Sequence, residues 1–269
     1  MSAPSVKPSM RPITLLTGAS AGIGTALAHE FADHGHELVL VARREQRLNI
    51  LADAISASGR PRPLVLAIDL QNAEAGSRIA AALTECGLEP SVVVNNAGFG
   101  LVGLAAELDI SEQRDMIDVN VSALTDLSLR FIASLERHKG GILNVASIAG
   151  FMPGPRSAVY YATKAYVLSF TEALHQELKP RGIRVTALCP GPVPTEFQAR
   201  AGVPEARGPV SLTLSAEEVA RQGYRGFMQG HRVVVPGSGN RLITVVSRLV
   251  PRRFLLRALD RRQMQRKET

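Results

Sequence analysis

The chain has 269 residues, 45% of them hydrophobic and 20% charged, with a formal charge of +7. That balance excludes a disordered or collagen-like chain, and no apolar run reaches the ~18 residues needed to span a bilayer. The charge is lopsided. Residues 231–269 hold ten Lys and Arg against two Asp and Glu, or +8, whereas the first 230 residues hold 21 against 22, or −1. Any partner that the charge implies is a partner of the tail, and the near-neutral body carries no nucleic-acid signature. Cys86 and Cys189 lie beside apolar segments and read as buried small hydrophobes. Two cysteines make neither a disulfide scaffold nor a metal cluster.

Residues 1–11 read as a flexible leader without a signal-peptide pattern, which suggests a cytoplasmic protein. Short runs rich in Val, Ile and Leu follow at 13–17, 37–42, 64–68, 92–94, 141–146, 184–188 and 232–235. They read as strands buried on both faces. Helical patterns at 23–34, 45–58, 74–86, 111–137 and 158–178 alternate with them. This predicts one α/β domain over 12–238, a doubly wound parallel sheet (a Rossmann fold) of about seven strands with helices on both faces. Residues 192–210 contain four prolines and no clear period, so a lid is expected at about 192–214. Ser215 and Glu218 form a capping-box pattern that opens another helix.

From 239 to 269 the chain reads as a basic helical extension, with Pro251 at the start of its second helix. Leu242, Val245, Val246 and Leu249 form one apolar stripe, and Phe254, Leu255, Ala258 and Leu259 form another. Arg253, Arg257 and Arg261 share a face. Such a tail has two readings: peripheral contact with an anionic membrane, or packing on the body or a neighbouring subunit.

Ligands of an open parallel sheet bind outside the carboxyl ends of its strands, and the unusual residues fall there repeatedly. After the first strand comes Gly18, Ser20, Gly22, Ile23 and Gly24. The spacing G-x-x-x-G-x-G allows a tight turn, the approach of a phosphate to backbone N–H groups, and close packing of the following helix. The second predicted strand ends in Ala42, Arg43 and Arg44 rather than in a carboxylate. Two guanidinium groups suit a 2′-phosphate, so NADP(H) is preferred over NAD(H). Tyr160 and Lys164 are four apart on a helix and share a face. An ammonium near a phenol favours the phenolate and brings tyrosine towards the useful range for proton transfer. Ser147, at the end of the fifth strand, is placed to hold a carbonyl oxygen that Tyr160 protonates. Tyr161 is the rival, facing about 100° away.

These residues resemble the short-chain dehydrogenase/reductase family. The matching motifs are the glycine loop from Thr17 to Gly24, Asp69, Asn95-Asn96-Ala97-Gly98, Asn120, Ser147, Tyr160 to Lys164, and Pro190-Gly191. They stand in the family's order over residues 12 to about 237. The resemblance implies that Tyr160 is the acid/base, that Lys164 tunes it and holds the nicotinamide ribose, and that Ser147 orients the substrate. It also implies that Asn120 supports a proton-relay water, that Asp69 contacts adenine, and that Asn95, Ala97 and Gly98 line the nucleotide. Thr195 would reach the carboxamide and phosphates, and Pro190, Gly191 and Val193 would bind the cofactor with it. Within the family the chain is similar to a bacterial group related to 17β-hydroxysteroid and long-chain 3-ketoacyl reductases, and the resemblance implies a homodimer or homotetramer.

The segments beside this group are apolar: Phe99, Leu101 and Val102, then Phe151 and Met152, then Val193, Phe197 and Val203. Phe99, Phe151 and Phe197 are the substrate candidates, and they favour a small hydrophobic carbonyl or alcohol. Arg156 and Arg200 are the basic residues nearby, read either as solvated or as an acidic-group receptor. The alternative to an enzyme is a catalytically silent nucleotide sensor or scaffold on the same fold.

Overall fold

In a computed structural model, which describes residues 10–201 and 212–265, seven strands form one parallel sheet. They are β1 (Arg11–Thr17), β2 (Leu38–Ala42), β3 (Leu64–Ala67), β4 (Leu88–Asn95), β5 (Gly141–Val145), β6 (Arg184–Leu188) and β7 (Val233–Val234). Their order is β3-β2-β1-β4-β5-β6-β7. The helices are α1 (Gly22–Asp33), α2 (Glu45–Ala57), α3 (Ala75–Glu85), α4 (Ile110–Ile117), α5 (Leu124–Arg130), α6 (Ile132–Arg137), α7 (Ala158–Leu178), α8 (Glu196–Arg200), α9 (Ala216–Met228), α10 (Ser238–Leu249) and α11 (Arg252–Gln265).

Alternation along the strands explains the two-sided core. Leu16, Leu40, Val94 and Leu143 point to one face, where they meet Leu27 and Phe31 of α1, Leu48 of α2 and Phe227 of α9. Their neighbours Leu15, Val41, Val93 and Ile142 point to the other, against Ile79 of α3, Met116 of α4 and Leu174 of α7. A strand buried on both faces needs an unbroken apolar run, and the sequence supplies it. Strand order reverses between β1 and β4, and the chain diverges there to opposite faces. The crevice between their carboxyl ends is the topological switch point at which such sheets bind ligands.

Two elements and one cysteine differ from the sequence reading. β4 begins at Leu88 rather than at 92, because pairing with β1 continues through Pro90 opposite Ile13, and the register shift between Ile13 and Thr14 leaves Ser91 as the extra residue. The single helix expected over 111–137 is divided into α4, a π-helical segment (Asp118–Ala123), α5 and α6. Asp109 caps α4 by accepting from the N–H groups of Ser111 and Glu112. Cys86 is exposed at the carboxyl end of α3, whereas Cys189 is buried and its thiol is pushed up to about 12 by burial. At α9, Ser215 accepts from the Glu218 N–H at 3.1 Å, as the cap pattern predicts. Among the described residues no helix is long and apolar enough to cross a membrane.

Candidate active site

A cavity of about 940 Å³ opens at the switch point. Its floor is the glycine loop. Gly18 has φ +67°, and a Cβ there would lie 2.7 Å from the Ala97 Cα. A Cβ on Gly24 would strike the Gly18 carbonyl oxygen. The loop is held from below. Thr17 Oγ1 accepts from the N–H groups of Asn96 and Ala97 at 3.1 and 3.2 Å, and Asn96 Nδ2 donates to the carbonyls of Thr17 and Gly18 at 3.1 and 3.0 Å. The sequence motifs contain Thr17 and Asn96 but do not by themselves reveal this bracing role. Their polar type at buried strand ends is the signal that finds them.

The N-terminus of α1 has Ala21 at its cap position, no side-chain cap and no acidic residue in its first turn. Gly22, Ile23 and Gly24 of that turn line the cavity. Free N–H groups at a helix start carry the positive end of the macrodipole, so an anion is favoured there. The chain therefore offers a shaped, dipole-positive cradle that fits a dinucleotide pyrophosphate.

At the β2 end, Arg44 donates to the Ser20 hydroxyl from Nε and Nη2 at 3.2 and 3.1 Å, and it meets Glu196 of α8 at 2.7 Å. Arg47 pairs with the same carboxylate. Arg43 lies 3.7 Å from Asp69, whose other oxygen accepts from the Gln71 N–H. Glu196 therefore sits where a 2′-phosphate would need Arg44, a competition that sequence spacing does not show.

The acid–base group stands at the ends of β5 and α7. Ser147 caps the 3₁₀ turn Ile148–Phe151 by accepting from the Ala149 N–H at 3.1 Å; its Oγ lies 3.5 Å from the Pro190 carbonyl, and the hydroxyl is near enough to the Tyr160 phenol to favour the phenolate. The Tyr160 ring lies 5.5 Å from that of Phe197 and 6.0 Å from that of Tyr161. Tyr160 is half-buried at the cavity wall, and desolvation pushes its pKa well up; the nearby Ser147 hydroxyl pulls the other way. Lys164 is buried, 6.0 Å from the centre of the Tyr160 ring, and Nζ donates to the Val145 carbonyl at 2.8 Å. Burial lowers its pKa to about 8. Desolvation thus outweighs the Lys–Tyr attraction expected from their spacing.

Asn120 is buried in the π-helical segment, a form common at functional sites. Its Oδ1 accepts from the Phe99 N–H at 3.1 Å, and its Nδ2 donates to the Phe99 carbonyl at 2.9 Å and to Thr163 Oγ1 at 3.1 Å. Its amide clamps the strand end after β4 onto α7. A Cβ on Gly98 would fall 2.9 Å from Asn120 Oδ1 and 3.4 Å from Lys164 Nζ, so only glycine admits both groups.

Of the candidate catalytic, cofactor and substrate residues, all but Asn95, Asn120 and Phe151 line this one cavity. Asn95 turns into the core and donates to Asn144 Oδ1 at 2.9 Å and Ser128 Oγ at 3.0 Å. Phe151 lies under the Arg248 guanidinium, 5.2 Å away. Thr195 lies over Gly22, and Gly191 lies against the Asn240 amide. Arg156 is neither solvated nor free, because Asp260 of α11 pairs with it at 3.0 Å. Val203 and the Arg200 side chain lie outside the described residues. Sequence reasoning missed one whole wall: Leu242 and Val246 of α10 and Leu255 and Leu259 of α11 line the cavity.

A Rossmann sheet that presents a serine and a tyrosine hydroxyl together beside its dinucleotide cradle defines an oxidoreductase class. The chain belongs to the short chain dehydrogenase family, which it matches over residues 12–205. It is similar to sulfoacetaldehyde reductase 2 of Chromohalobacter salexigens, with 37% identity over 78% of this chain and 86% of that protein. A short-chain dehydrogenase from Sphingobium yanoikuyae in complex with NADPH is 33% identical, with a TM-score of 0.76 over 83% of this chain and 87% of that one. The bulky-bulky ketone specific alcohol dehydrogenase from Comamonas testosteroni is 29% identical, with a TM-score of 0.73 over 84% and 86%.

Proposed function

We propose that this oxidoreductase uses NADP(H) to interconvert a carbonyl and a secondary alcohol on a hydrophobic substrate, with Tyr160 as acid and base. The observation that carries the reading is that Ser147, Tyr160 and Lys164 stand together at the wall of the dinucleotide cavity. When bound, the nicotinamide gives or takes a hydride. Ser147 holds the carbonyl oxygen, and Tyr160 delivers its proton to it. The raised pKa of Tyr160 keeps the phenol protonated at neutral pH, the form that reduction needs. Lys164, cationic below about pH 8, opposes the cost of the phenolate left behind.

The walls support the substrate class. Among the described residues, the cations lining the cavity are Arg43 and Arg44 at the β2 end and Lys164 beside Tyr160; Phe99, Leu101, Val102, Met152 and Phe197 form the remainder of the substrate side with the tail. The similarity to a sulfoacetaldehyde reductase suggests a small anionic aldehyde instead, but Asp260 already holds the nearby Arg156. A screen of bulky ketones, 3-ketoacyl thioesters, steroids and sulfoacetaldehyde, followed by NADPH absorbance, separates the two. Turnover of the bulky substrates supports the proposal, and turnover of sulfoacetaldehyde alone refutes it.

The cofactor preference rests on Arg43 and Arg44. Replacing both by Ala is expected to weaken NADPH by about 100-fold, the scale of one or two charge-assisted hydrogen bonds, and to leave NADH nearly unchanged. Glu196→Gln frees Arg44 and is expected to tighten NADPH up to about fivefold, the value of an exposed ion pair. Fluorescence titrations read both effects; equal affinities of the unaltered protein for NADPH and NADH would contradict the preference. The homo-oligomer reading is supported by Ile110, Ile117, Leu129 and Tyr166, exposed on α4, α5 and α7. Light scattering should give the mass of a dimer or tetramer, reduced by Ile110→Asp and Leu129→Asp together.

A further inference from the structure

The helix α10 is built inside out. Its apolar residues Leu242, Val245, Val246 and Leu249 are spaced i, i+3, i+4, i+7 and share one face. That face points away from the body: Leu249 is 78% exposed, Leu242 64% and Val245 55%. The inward face carries Asn240, Thr244 and Ser247. Their donors bond locally: Asn240 Nδ2 donates to the Leu212 and Pro236 carbonyls, Thr244 Oγ1 to the Arg241 carbonyl and Ser247 Oγ to the Thr244 carbonyl, while Asn240 Oδ1 is buried without a partner. In the next helix, α11, Phe254 and Leu256 are exposed as well. A contiguous apolar surface of this kind marks a contact.

Its surroundings identify the occupant. Arg241, Arg248, Arg252, Arg253, Arg257 and Arg261 are all exposed around this face, and among the described residues none of them is paired with a carboxylate. The acidic residue of the described tail, Asp260, is held by Arg156. A second copy would bring six more arginines against these six, so self-association here meets like charge. An anionic lipid surface supplies the opposite charge and accepts the apolar side chains. Leu242 and Val246 are exposed and also line the cavity, so the apolar face is continuous with the mouth of the active site.

We propose that α10 and α11 dock the protein on an anionic lipid surface, with the cavity mouth against the lipid. The docking stands apart from the oxidoreductase reading, because vesicle binding is measured without turnover. The test is co-sedimentation of the full chain with vesicles of phosphatidylcholine alone or mixed with phosphatidylglycerol. Binding is expected to the mixed vesicles, to fall with salt, and to be at least tenfold weaker to phosphatidylcholine alone. Arg252→Ala, Arg253→Ala and Arg257→Ala together are expected to weaken it by about 100-fold, a factor of about five for each charge. Val245→Ser, Leu249→Ser and Phe254→Ser together are expected to abolish it while turnover of a water-soluble ketone is unchanged, since none of the three lines the cavity. No binding to the mixed vesicles, or binding untouched by either set, overturns the proposal. So does a light-scattering mass that falls in the Val245, Leu249 and Phe254 variant, which would show a second copy on this face.

Discussion

Tyr160→Phe should lower kcat for carbonyl reduction by about three orders of magnitude, within the range of a lost general acid, and leave NADPH affinity nearly unchanged. The substitution removes one oxygen from a ring that stays packed against Phe197 and Gly100. Ser147 keeps its bond from the Ala149 N–H, so the local backbone does not depend on the phenol. What disappears is the proton donor. Steady-state NADPH absorbance and fluorescence titration on one preparation separate the two effects. Activity surviving the change would remove Tyr160 from the mechanism and make Tyr161, which also lines the cavity, the next residue to test.

Lys164→Met should uncouple stability from catalysis. Burial depresses the Lys164 pKa from 10.5 to about 8. Between those values the unfolded chain binds more protons than the folded one, so stability rises with pH across that window. Below about pH 8 the cost of burying the ammonium is fully present. Methionine fills much the same volume without the charge. After allowance for the lost bond to the Val145 carbonyl, the gain at pH 7 is on the order of 2 kcal/mol. The rise in stability between pH 8 and 10.5 should vanish in the variant. Turnover should fall by 100-fold or more, because the charge that opposes the Tyr160 phenolate is gone. Urea unfolding at pH 7 and pH 10, beside kinetics, tests both; a loss of stability at pH 7 would contradict this account of Lys164.

The sheet and its switch point were legible in the sequence because each buried strand is a short apolar run followed by a polar or glycine-rich turn. The glycine loop, the arginines after β2 and the Ser147, Tyr160 and Lys164 group could be read for the same reason: all lie at strand ends or on one helix face. Asn95 misled because adjacent strand residues point to opposite faces, so its side chain enters the core while Asn96 ties down the loop. The helix over 111–137 looked continuous because a π-helical segment keeps helical composition and alters only the backbone pairing. The tail was the largest gap. Periodicity finds its apolar stripe but not the direction in which it points, and the stripe turns outward because α10 buries Asn240, Thr244 and Ser247 instead. The Glu196 contact to Arg44 and Arg47 joins residues about 150 apart and has no local signal.

Deuterium transfer from C4-deuterated NADPH to a bulky ketone, read by mass spectrometry of the alcohol, tests the central claim most directly. The account predicts a single deuterium on the carbinol carbon with the unaltered protein and none above background with Tyr160→Phe. NADPH bound tightly with no label reaching any hydrophobic carbonyl would contradict it and return the chain to the silent nucleotide-binding reading.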